Sequence, residues 1–154
     1  FGLVGFTMMI GNLSGFISDR IGREVTYTVA TIGIIIGVCA LMLATPSLPW
    51  LLYLYVIFFG IFFGVGTPTV CSSLADLFSG KHYGAINGFL ILGFGIGGAI
   101  GPWLGGYIFD VRGSYTLAFL AVIVAQGLSC IFIWLAAPRR VRLVAGKAPR
   151  AVTG

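Results

Sequence analysis

The residues best equipped for chemistry stand in one short run, Gly15-Phe16-Ile17-Ser18-Asp19-Arg20-Ile21-Gly22-Arg23-Glu24, between two apolar stretches. Asp19 can end one helix where its carboxylate meets the positive N-terminus of a neighbour. Arg20 and Arg23 offer charge-assisted donors to acids or lipid phosphates. Gly15 lets helices approach closely, and Gly22 permits a tight turn. Such a set makes and breaks ion pairs; it does not make covalent bonds.

Other reactive constellations are missing from the sequence. No HExxH metal motif occurs, and no paired aspartates stand within an apolar stretch. Ser14-Gly15 lacks the glycine two residues earlier that a rhomboid-like serine site carries. Cys39, Cys71 and Cys130 fall in three different apolar segments without C-x-x-C spacing and read as packing residues. The reading is therefore of a chain that is not an enzyme and has no metal or cofactor.

A second feature is a glycine stripe. Gly93, Gly97, Gly101 and Gly105 recur every four residues, widened by Gly88, Gly95, Gly98 and Gly106. This spacing lets another helix backbone approach within lipid, and Pro102 is expected to bend the helix. The run 93–98 also satisfies G-x-G-x-x-G, but a dinucleotide site needs a preceding strand and a βαβ unit. Here the match lies inside an apolar span and carries no such meaning. Candidate cavity-lining polar residues are Thr67, Thr69 and Asn87. Pro68 removes one helix bond beside the two threonines, although back-bonding of each hydroxyl to its own helix is the expected default. Asn12 and Gln126 are expected to bond between helices. Asp76, near Lys81 and His82, is a candidate partner for the charges of the 15–24 run.

The elements that must position these residues follow from composition. Of all residues 58% are hydrophobic and 8% charged, and the mean hydropathy is +1.07. So few charges cannot cover a water-facing surface, so lipid must solvate most of the exterior. A soluble enzyme is excluded. A crossing helix needs about 20 apolar residues, and 25–45, 50–74, 84–109 and 115–137 each qualify. Residues 1–17 read as the tail of a fifth span. The fold class is thus all-α: a polytopic transmembrane helix bundle of about 4.5 spans, occupying 1–137 and followed by a basic tail at 138–154. Tight turns at 45–49 and 110–114 join spans, with Ser114 placed to cap the last helix.

Eight of the nine basic residues fall on one side of this topology: Arg20, Arg23, Lys81, Arg139, Arg140, Arg142, Lys147 and Arg150. Only Arg112 falls on the other. The positive-inside rule puts loops 18–24 and 76–83 and the C-terminus in the cytoplasm. The net charge of +5 is spread over loops and tail, which favours the lipid bilayer as partner and no nucleic acid.

The skeleton G-x-x-x-D-R-x-G-R between two spans resembles the cytoplasmic signature loop of the major facilitator superfamily. There it joins the second and third helices of each six-helix half. The resemblance implies a partial major facilitator fold: part of helix eight and then helices nine to twelve, with an N-terminal half of the same chain as partner. Glu24 departs from the usual basic residue at its position. The run 97–106 resembles the glycine-proline motif of antiporters in that superfamily, which implies a gating helix built on Gly93, Gly97, Gly101, Pro102 and Gly105. Implied function is secondary active transport of a small solute by alternating access, in a multi-pass protein of the plasma (inner) membrane. The run from Gly105 to Tyr115 resembles carriers of the monocarboxylate and oxalate–formate kind, implying a carboxylate. Efflux of drugs or other solutes is the alternative, and a small self-assembling membrane protein is the alternative of another class. In the transport reading the loop latches the cytoplasmic side closed. Asp19→Asn is then expected to slow transport with membrane insertion intact, and wild-type transport rates in that variant would count against the latch.

Overall fold

A computed structural model describes residues 2–14, 21–45, 47–78 and 82–136. Gly15, Asp19 and Arg20, and the tail at 138–154, lie outside the described residues. Five helices follow one another: α1 (Gly2–Leu13), α2 (Arg23–Leu43), α3 (Trp50–Leu77), α4 (Tyr83–Arg112) and α5 (Thr116–Ala136). No strand occurs among the described residues. The last four are each long and apolar enough to cross a bilayer, which fits the all-helical, partial bundle expected from the sequence.

The spans start and stop where backbone chemistry changes. Gly22 precedes α2 at φ 117° and ψ 148°, a region open essentially to glycine alone. Gly113 ends α4 in the left-handed conformation at φ 66°, its N–H donating to the Phe109 carbonyl at 2.7 Å. Just beyond it the Ser114 hydroxyl accepts from the Thr116 N–H at 3.2 Å, capping α5. With 30 residues, α4 is about 45 Å long, so it tilts or projects beyond a hydrocarbon core of about 30 Å.

Helix α3 is the hub. It packs along α2 and along α1, while α2 also meets α5; α4 meets α3 and α5 lightly. The core sits on α2, where Ala30, Ile34, Val38 and Ala40 are buried. No residue of α4 or α5 is buried. Two helices so apolar and so open require lipid or further helices around them.

The tightest packing uses glycines outside the 93–105 stripe. A Cβ at Gly11 of α1 would fall on the Ile61 carbonyl of α3, and one at Gly64 of α3 on the Met8 carbonyl of α1. Gly60 faces Thr7 equally closely. The Thr7 hydroxyl lies 3.0 Å from the Val56 carbonyl across this seam. Gly60-x-x-x-Gly64 thus supplies the small-residue face along which α1 and α3 meet backbone to backbone.

Candidate functional site

Helices α2 and α3 run antiparallel, so the first turn of α2 lies beside the last turn of α3. There the Arg23 Nε donates to Asp76 Oδ2 at 2.9 Å, with the two side chains 9% and 20% exposed. Each charge opposes the dipole of its own helix. Arg23 sits at a positive end and Asp76 near a negative one. Across the interface the sense reverses: Arg23 approaches the negative end of α3 and Asp76 the positive end of α2. Pairing therefore satisfies both charges where neither helix alone would. Glu24, in the same first turn, is buried at 2% exposure, with an acid's favourable sign for that helix end. Of the run 15–24, Arg23 is thus placed on Asp76, one residue beyond the turn at Gly22.

One turn further along, a polar seam joins α2 to α5. The Tyr27 hydroxyl lies 2.6 Å from the Ser129 hydroxyl. Trp134 Nε1 donates to the Thr28 hydroxyl at 2.9 Å, and that hydroxyl donates in turn to the Glu24 carbonyl at 2.8 Å. Cys130 Sγ stands 3.5 Å from the same hydroxyl. Of the α5 residues in this seam the sequence singled out Cys130 alone, as a packing residue, and Ser129 and Trp134 carried no signal of their own. All three fall on one face of α5, but nothing in the sequence names α2 as the partner. Tyr27→Phe is expected to lower carrier stability by about 0.5–1.5 kcal/mol, the range of hydrogen bonds between membrane helices. Thermal unfolding of the purified protein checks this, and an unchanged midpoint would mean that the seam bears no load.

The glycine stripe is placed differently. A Cβ at Gly93, Gly97, Gly101 or Gly105 would meet nothing within 4 Å. Pro102 lies inside α4, and Gly93, Gly97 and Gly98 line an open groove between α4 and α3, with Phe63 and Phe94.

Behind Phe63 and Phe94 lies a smaller cavity of about 90 Å³ between α2, α3, α4 and α5, lined among others by Tyr27, Thr31, Thr67 and Gln126. Thr67 and Thr69 both donate to their own helix, to the Phe63 carbonyl at 3.0 Å and the Val65 carbonyl at 2.7 Å. Thr67 reaches the cavity, whereas Thr69 is fully buried and does not line it. Pro68 leaves the Gly64 carbonyl without its helix donor. Asn87 Oδ1 is buried without a partner in the first turns of α4, away from the cavity. The side chains of Asn12 and Gln126 make no hydrogen bond among the described residues, where interhelical bonds were expected of them; Asn12 is exposed on α1 and Gln126 borders the cavity.

No group of three or more His, Cys, Asp or Glu that could hold a metal occurs among the described residues. An ion pair at one end of the bundle, a hydroxyl seam between α2 and α5 and a small cavity with a few polar lining residues are what these helices bring together.

Comparison with known proteins agrees. No solved structure matches the chain. A tetracycline resistance protein, class H, of Pasteurella multocida is 32% identical over 109 residues, which cover 70% of this chain and 26% of that protein. Residues 1–153 match the family description of the Major Facilitator Superfamily. Four of its helices are long and apolar enough to cross a membrane, and the chain belongs to the major facilitator superfamily.

Proposed function

We propose that the carrier containing this chain exports an amphipathic, drug-like solute by alternating access, with the end of the bundle at Arg23 facing the cytoplasm. The observation that carries this reading is the 32% identity to a tetracycline resistance protein. Because the chain spans 26% of that relative, the remaining helices, including an N-terminal half, contribute much of the pathway. The largely apolar walls of the groove beside Gly93 and Gly97 suit such a solute. In this reading Arg23 and Asp76 belong to the cytoplasmic latch with Gly15, Asp19, Arg20 and Gly22, while α4 flexes near Pro102 and slides on its glycine face.

A carboxylate substrate is the second reading, favoured by the run Gly105-Gly106-Tyr107-Ile108-Phe109-Asp110. It would require a cation from outside the described residues, because no basic side chain lines the groove or the cavity. Expression of the full-length carrier in bacteria separates the two. Lower accumulation of tetracycline than in vector controls is the expected result. Unchanged tetracycline together with counterflow of labelled oxalate or formate would replace the first reading by the second.

A further inference from the structure

We draw no further inference here: the strongest candidate, the open apolar face of α4 and α5 with the groove beside Gly93 and Gly97, carries nothing, because nothing in the structure shows what covers it.

Discussion

Replacing Asp76 with Ala is expected to destabilise the carrier by about 3 kcal/mol, the lower end of what breaking a buried ion pair costs. Arg23 is 9% exposed on its side chain, and removing the carboxylate at 2.9 Å takes away a charge-assisted hydrogen bond that little water can replace. Exposed pairs are worth only about 0–1 kcal/mol, so burial decides the size of the effect. Asp76→Asn keeps the shape and one acceptor and should lose less. Thermal unfolding of the full-length protein orders the two variants. A midpoint for Asp76→Ala equal to the wild type would mean that the pair is a surface contact in the membrane.

The second large effect is expected at Gly64. A side chain there collides with backbone, not with a flexible neighbour. A Cβ would press on the Met8 carbonyl and stand 3.0 Å from the Gly11 Cα. Helices α1 and α3 would have to separate along the whole seam, losing the contacts that substitute for a hydrophobic driving force in lipid. Gly64→Ala is expected to cost about 1–3 kcal/mol, the usual range for overpacking, and Gly64→Leu to abolish accumulation of folded protein. Gly97→Ala is the comparison, because a Cβ there meets nothing within 4 Å. Equal loss of folded protein in Gly64→Ala and Gly97→Ala would contradict the assignment of the close seam to α1 and α3.

These two sites show how far the sequence could be read. Span number, span limits to within a few residues and the turn at Gly22 all follow from local properties: apolar length, charge placement and glycine's access to positive φ. Span order along the chain also fixes which helix ends share a side, so Arg23 and Asp76 could be expected near one another. Lateral packing is another matter. The glycine spacing at 93–105 is as regular as a close helix contact demands, yet within this chain the close contact is made by Gly60 and Gly64. Small-residue spacing says that some backbone can approach, not which one. The same limit hid the Tyr27–Ser129 and Trp134–Thr28 bonds, whose partners lie 102 and 106 residues apart. The unbonded hydroxyls of Thr26 and Thr31 were hidden for the opposite reason: a hydroxyl in an apolar span is ordinarily bonded to its own helix, and only the structure reveals that these two are not.

A charge swap tests most directly whether the charged end of the bundle is part of the proposed transport device. Arg23→Asp, Asp76→Arg and the double swap would be made in the full-length carrier, and tetracycline efflux measured alongside the amount of folded protein in the membrane. Each single variant places two like charges in contact and is expected to slow efflux several-fold per folded molecule, while the double swap restores a large part of it. Efflux per folded molecule that is normal in both single variants, or no better in the double swap than in either one, would contradict the account.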